Sequence, residues 1–378
     1  MDMKKIIMPL MLIATLVACN SKPEGFTING TLRGDIADST QVILKKIGEN
    51  NQPVSVDTAY TNKGLYSFSG KPVSPELHYI FVDKLPGYSV LILETGEIEI
   101  SAQKDSLNLA KAKGTLQNDI FSDYMKKSQA MSQRAMSIQK DLQKATMSQD
   151  EATISALSDE MKELQEEYKD FEVEYIKANP NGLISALLID RAIASKSASI
   201  EEFKSLYEGL APEIKENKVG KDVLKRIGDL EAKETANKNT TIGNKAPEFS
   251  AKNPEGKEIA LNSVLGKVTL IDFWAAWCKP CRAENPNVLE VYKKYHDKGL
   301  NIIGVSLDRN EKDWKKAIAE DKLEWNQVSN LAYFNDEIAK LYNVDAIPAA
   351  FLLDENGIIV AKNLRGNALE QKVAELLN

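Results

Sequence analysis

The sequence predicts a multidomain chain in three successive parts: a small antiparallel β domain, a central α-helical region and an α/β domain at the carboxyl end. Three observations carry this. Short apolar or alternating runs punctuated by glycine occupy residues 26–115. Apolar residues at three- and four-residue spacing dominate residues 116–236. From residue 242 onward, strand-like and helix-like patterns alternate, as expected of a sheet with helices on its faces.

Residues 1–18 read as an export signal. Lys4 and Lys5 form a basic start, Ile6 to Val17 is an apolar run too short to span a bilayer, and small residues close it. Leu16-Val17-Ala18-Cys19 resembles a bacterial lipoprotein box, which implies lipidation of Cys19 and a chain held on a membrane. An ordinary cleaved signal and an uncleaved anchor are the alternatives. Residues 19–25, polar and rich in helix breakers, read as a short tether.

The β-rich part, 26–115, is read from Thr40 to Leu44, Leu65 to Phe68 and Tyr79 to Val82, separated by Gly34, Gly48, Gly64, Gly70 and Gly87. Regular short strands with glycine turns suggest a sandwich or barrel. His78 is the one histidine here and reads as a structural residue rather than a metal ligand.

In the helical region, 116–236, Phe121, Tyr124, Met131, Ala135, Ile138, Leu142 and Ala145 form one apolar seam, with Ser128 filling a seam position. A second seam runs through Ile154, Leu157, Met161, Leu164, Tyr168, Phe171 and Tyr175. Ser148 to Glu151 fits a capping box that restarts a helix between them, Asn179-Pro180-Asn181-Gly182 ends the second, and Ser199 to Glu202 caps a later one. The seams suit either a hairpin packed on itself or a coiled-coil arm that joins two copies in a homodimer. Lys233 to Thr241 is polar, and residues 237–241 are assigned as the linker.

In the last part, 242–378, a hairpin is expected over Phe249 to Leu261, a buried strand over Val268 to Trp274, and a helix from Arg282 to Lys298. A strand at Asn301 to Leu307 and helices at Lys312 to Asp321 and Asp336 to Tyr342 follow. A hairpin of Ala349 to Asp354 with Ile358 to Ala361, and a helix from Ala368 to Leu377, complete it.

Only three cysteines occur, and Cys278-Lys279-Pro280-Cys281 holds two of them. The pair stands where a buried strand gives way to a helix. Thiols with two residues between them can close a disulfide within one helical turn, and the first faces the unsatisfied N–H groups and positive end of the helix. Thiolate is the reactive form, so this placement suits thiol–disulfide exchange. Zinc wants about four ligands, and no second pair or neighbouring histidine supplies them. A static disulfide fits an exported chain but not the strand-to-helix position. Net charge −7 with no long basic stretch argues against nucleic-acid binding. With 43% hydrophobic and 27% charged residues the chain has a globular balance, and no cofactor motif appears.

Asp272-Phe273-Trp274-Ala275-Ala276-Trp277-Cys278-Lys279-Pro280-Cys281, with Ile347-Pro348 far downstream, resembles the thioredoxin fold over residues 242–378. The long gap to Pro348, the acidic Glu284 and the opening Ile242-Gly243-Asn244-Lys245-Ala246-Pro247 resemble the extracytoplasmic TlpA and ResA-like subfamily. The resemblance implies a thiol-disulfide oxidoreductase facing the periplasm. Cys278 is then the attacking thiolate and Cys281 the resolving thiol; Asp272 and Glu284 are the carboxyl groups for proton transfer, against purely structural readings of both. Trp277, Lys279, Pro280, Ile347 and Pro348 are implied to meet the substrate, with the Ile347–Pro348 bond cis, while Trp274 is assigned to the core. Partners are implied to be protein disulfides and a transmembrane electron donor, with no cofactor or metal. Peroxide is disfavoured, because Ile271 and Ala275 stand where a peroxiredoxin would carry proline and threonine. The alternative class is a redox-switched adaptor in which the front and helical domains carry the main role.

Overall fold

The computed structural model describes residues 24–48, 50, 52–71 and 73–377. The predicted signal, Cys19 and the tether as far as residue 23 lie outside the described residues. The chain divides into two compact units, Met1–Arg226 and Ile227–Asn378.

The first unit begins with eight strands: β1 (Phe26–Arg33), β2 (Gln41–Ile47), β3 (Pro53–Tyr60), β4 (Leu65–Gly70), β5 (Glu76–Val82), β6 (Ser89–Leu93), β7 (Gly96–Gln103) and β8 (Ser106–Lys113). They form two four-stranded sheets, ordered β4-β1-β7-β8 and β3-β2-β5-β6. Ile28, Phe68 and Ile98 of the first sheet join Leu44, Ile80 and Leu91 of the second in one buried cluster. The alternation of buried and exposed residues along β1 and β7 is that of strands with one face on a core. The expected all-antiparallel pairing is corrected at one place, since β1 and β7 run parallel. Periodicity along a strand carries no information about the direction of its neighbour. β1, β3, β6, β7 and β8 were not anticipated from the sequence.

Six helices follow: α1 (Leu116–Ser148), α2 (Glu151–Ala178), α3 (Leu183–Ser195), α4 (Ile200–Glu208), α5 (Pro212–Glu216) and α6 (Lys218–Asn239). The predicted seam residues Phe121, Tyr124, Ser128, Ile138 and Ala145 are buried, as are Leu164 and Tyr175 across from them. Tyr124 Oη donates to Glu172 Oε1 at 2.7 Å and lies 2.9 Å from Tyr168 Oη, tying α1 to α2 within one chain. The capping box at Ser148 is corrected: α1 continues through Ser148, and Asp150 is the cap of α2, accepting from Thr153 N at 3.1 Å. An aspartate is as good a cap as a serine, so the restart moves two residues along. Ser199 does cap α4, accepting from Glu202 N. The polar stretch expected to form a linker is helical as far as Asn239, within α6.

The second unit takes in α6 from Ile227 onward and then the hairpin β9 (Ser250–Lys252) and β10 (Glu258–Ala260). It continues β11 (Val268–Trp274), α7 (Lys279–Tyr295), β12 (Leu300–Ser306), α8 (Glu311–Asp321), β13 (Asn326–Val328), α9 (Glu337–Leu341), β14 (Ala349–Asp354), β15 (Ile359–Lys362) and α10 (Asn367–Leu377). The sheet order is β13-β12-β11-β14-β15. The pairs β11–β12 and β12–β13 are parallel, and β14 and β15 are antiparallel to their neighbours. Parallel β11 and β12 require a crossover, which α7 provides. β11 is buried along its whole length. Its alternate residues Val268, Leu270 and Trp274 face a cluster that includes both cysteines, while Ile271 and Phe273 face a separate core on the other side. β13 was not anticipated, being three residues long. The helix after the cysteine pair starts at Lys279, a turn earlier than expected, and contains Pro286.

In the first unit, the Asn118 side chain completes the edge of the second sheet. Its amide accepts from Ile92 N at 3.0 Å and donates to Ile92 O at 2.7 Å, all of it buried. Asn118→Ala strands both backbone groups of β6 and is expected to cost about 2–4 kcal/mol. The check is the urea unfolding midpoint of the full chain followed by far-ultraviolet circular dichroism. An unchanged midpoint contradicts this role.

Candidate functional site

The turn from β11 into α7 brings the cysteines to the carboxyl edge of the central strand. Cys278 is the N-cap residue of α7, and its Sγ accepts from Cys281 N at 3.3 Å. Cys278 and Cys281 are joined as a disulfide with Cα atoms 5.3 Å apart. Pro280 lies in the first turn, where a missing N–H leaves no helical hydrogen bond unmade. Both cysteines are buried, Cys278 at 3% exposure and Cys281 at 1%, so the disulfide shows solvent only a narrow edge. Lys279 and Pro280 beside it are exposed.

Asp272 occupies the β11 position between Leu270 and Trp274, on the face turned to the cysteine cluster. Its backbone neighbours across the sheet are Gly304 and Ala350. Both are small; the neutral Gln327 side chain lies over Gly304, so neither neighbour brings a charge beside the carboxyl group. Burial raises its pKa from an ordinary 3.8 to about 7; Arg365 works against that rise and Glu284 adds to it. Glu284, on α7, is half-buried and accepts from Gly366 N and from Asn287 Nδ2, each at 2.8 Å.

The Ile347–Pro348 bond is cis. Ile347 packs against the cluster that holds the cysteines. Trp277 is 46% exposed and packs against Tyr333 with the rings tilted and their centroids 5.1 Å apart, whereas Trp274 is 1% exposed and donates from Nε1 to Gln327 Oε1 at 2.9 Å. The structure therefore brings Cys278, Cys281, Asp272, Glu284 and Ile347 to one side of the sheet, with Trp277 beside them at the surface.

Residues 242–362 match the AhpC/TSA family. Residues 26–121 match a domain of unknown function, DUF4369. The chain is 33% identical over 136 residues to thiol-disulfide oxidoreductase ResA of Bacillus thuringiensis subsp. konkukian, covering 36% of this chain and 76% of that protein. The chain belongs to the ResA-like thiol-disulfide oxidoreductase family. Thioredoxin-like protein YneN of Bacillus subtilis is 36% identical over 119 residues, covering 31% of this chain and 68% of that protein. Among solved structures, the thioredoxin domain of a thiol-disulfide oxidoreductase from Bacteroides vulgatus is 42% identical, covers 36% of this chain and 99% of that one, and superposes with a TM-score of 0.35.

Three features of this oxidoreductase escaped the sequence reading. The first is Asp308, buried behind the active turn: its carboxylate accepts from Ala276 N at 2.9 Å and from Ser306 Oγ at 2.8 Å. Burial pushes its pKa up, and these hydrogen bonds oppose the rise. It lies directly past the end of β12, a placement a reader could have marked as a strand-end carboxylate. The second is a cleft of about 380 Å³ lined by Trp277, Asp308, Arg309, Asn310, Asp313 and Tyr333. The third is the turn after β15, where Arg365 Nη2 donates to Pro348 O. No local motif announces these, because each joins segments far apart in sequence.

The raised pKa of Asp272 makes a stability prediction with a definite sign. The folded state holds that proton up to about pH 7, while the unfolded chain releases it near 3.8. Asp272 therefore lowers stability as pH rises through that window, and the loss persists above it. Asp272→Asn is expected to stabilise the oxidised protein at about pH 8 by on the order of 2–4 kcal/mol and to change little at about pH 3. Urea unfolding at the two pH values is the measurement; an equal gain at both contradicts a buried, titrating carboxyl group.

Proposed function

We propose that this oxidoreductase is a membrane-tethered, periplasm-facing reductase of protein disulfides. The observation that carries the reading is the meeting, on one face of β11, of a cysteine at a helix N-terminus and a buried carboxyl group. In the reduced protein, the Cys281 N–H and the end of α7 favour a thiolate at Cys278. That sulfur attacks one sulfur of the partner's disulfide; the bond breaks, and the first partner thiolate leaves. Asp272 takes the proton of Cys281, assisted by Glu284, and the Cys281 thiolate then attacks the Cys278 sulfur. The second partner thiol leaves, so the partner gains two electrons and the pair becomes the Cys278–Cys281 disulfide.

The substrate surface of this reading is the exposed rim of Trp277, Lys279 and Pro280, opposite the Ile347–Pro348 segment. An extended partner strand lies against the Ile347 backbone. Lipid on Cys19 holds the protein at the membrane, and a transmembrane electron donor returns the disulfide to dithiol. The similarity to ResA supports the exchange chemistry, and the charge pattern of residues 1–19 supports export.

In the full chain, Cys278→Ser is expected to reduce insulin disulfides, with dithiothreitol as electron source, no faster than the uncatalysed control. Cys281→Ser is expected to accumulate a mixed disulfide with insulin, visible by mass spectrometry. A Cys278→Ser rate equal to that of the unaltered protein ends the enzymatic reading and favours an adaptor. Separately, Cys19→Ser is expected to move the protein from the membrane fraction to the soluble periplasmic fraction; unchanged membrane retention rules out the lipid anchor.

A further inference from the structure

One short turn binds three parts of the site. Asn363, directly after β15, donates from its backbone N–H to Ala350 O at 2.8 Å and accepts from Ala350 N at 3.0 Å through Oδ1. Arg365 Nη2 donates to Pro348 O. Gly366 N donates to Glu284 Oε1 at 2.8 Å. Residues 363–366 therefore hold the start of β14, the cis-proline segment and the α7 carboxylate in one arrangement. Arg365 itself is exposed at the surface, while its charge acts on Asp272 within.

We propose that Arg365 is a positioning residue for thiol–disulfide exchange: its guanidinium binds the Pro348 carbonyl from a turn whose next residue, Gly366, holds Glu284, so one side chain acts on both the substrate-facing loop and the setting of the buried carboxyl group. This rests on the reading of Asp272 as the proton acceptor for Cys281. The charged groups acting on Asp272 are two and of opposite sign. Glu284 of α7 resists its ionisation, and Arg365 of the turn after β15 favours it. The neighbouring strands present Gly304 and Ala350 there and add no charge. The thiols of Cys278 and Cys281 complete the titratable set on this face. The Pro348 carbonyl is a fixed acceptor, and a planar guanidinium reaches it with one N–H while keeping its charge. A partner strand that shifts the Pro348 segment thus shifts the cation that permits Asp272 to ionise. Binding and proton acceptance are linked through a single group.

The test is the reaction of the reduced full chain with dithiodipyridine. The first thiopyridone is released when Cys278 attacks, and the second when Cys281 resolves the mixed disulfide. The rate of the second phase is followed between about pH 5 and about pH 9. Arg365→Gln removes the favourable charge and is expected to move the acid limb of this profile up by about one pH unit, slowing the phase about tenfold below the limb. Arg365→Lys keeps the charge and is expected to restore the limb. Glu284→Gln removes the opposing charge but keeps an acceptor for Gly366 N, and is expected to move the limb down. In an Asp272→Asn background, Arg365→Gln is expected to leave the limb where it is. Uniform slowing by Arg365→Gln with no displaced limb, or the same displacement in both backgrounds, overturns the role of Arg365 while the Asp272 reading stands. If Asp272→Asn itself leaves the second-phase profile unchanged, the Asp272 reading falls instead.

Discussion

Asp272 stands inside the apolar face of the central strand, flanked by Leu270 and Trp274 and held to a pKa of about 7 mainly by burial. An ionised carboxylate in that layer is costly, and the surroundings are arranged around the cost. Gly304 and Ala350 beside it carry no charge, Glu284 resists its ionisation, and Arg365 favours it. The group is consequently poised between protonated and ionised forms at neutral pH, as a proton acceptor for a thiol requires.

The turn that carries Cys278 is held from behind by a network of charged and amide side chains. Asp308 accepts from the Ala276 N–H, and Arg282 pairs with Asp321 through Nη2 and Oδ1 at 2.7 Å while also reaching Ala276 O. Asn285 donates to the same Asp321 at 2.6 Å. The end of β11, the first turn of α7 and the end of α8 are thereby fixed to one another. A helix N-terminus favours an anion only where the cap sulfur is held over the free N–H groups, and this network supplies the constraint.

The first unit solves a different problem. Two sheets bury a shared cluster, and the long α1–α2 hairpin buries aromatic side chains whose hydroxyls are satisfied by Glu172, Asp123 and Ile120 O. A phenol suits this position because its ring adds buried area while its hydroxyl needs a partner. Among the described residues, no cluster of histidine, cysteine and carboxylate side chains has the arrangement to hold a metal.

The order of the three parts, the α1 and α2 seams, the strand β11 and the reactive pair all follow from local pattern: a period of two or of 3.6 residues, or two cysteines at the end of an apolar run. Such features depend on neighbours along the chain, so sequence alone determined them. The parallel pairing of β1 with β7, the Asn118 bridge to Ile92, the Asp308 anchor and the Arg365 link to Pro348 depend on segments that are not neighbours along the chain. Chain closure brings those together, and no repeat or spacing encodes which pairs will meet. The same division runs through Asp272. Its identity and its place before the cysteines were visible in the sequence, but its burial, and hence its readiness to take a proton near neutral pH, was decided by the sheet and helix packed around it.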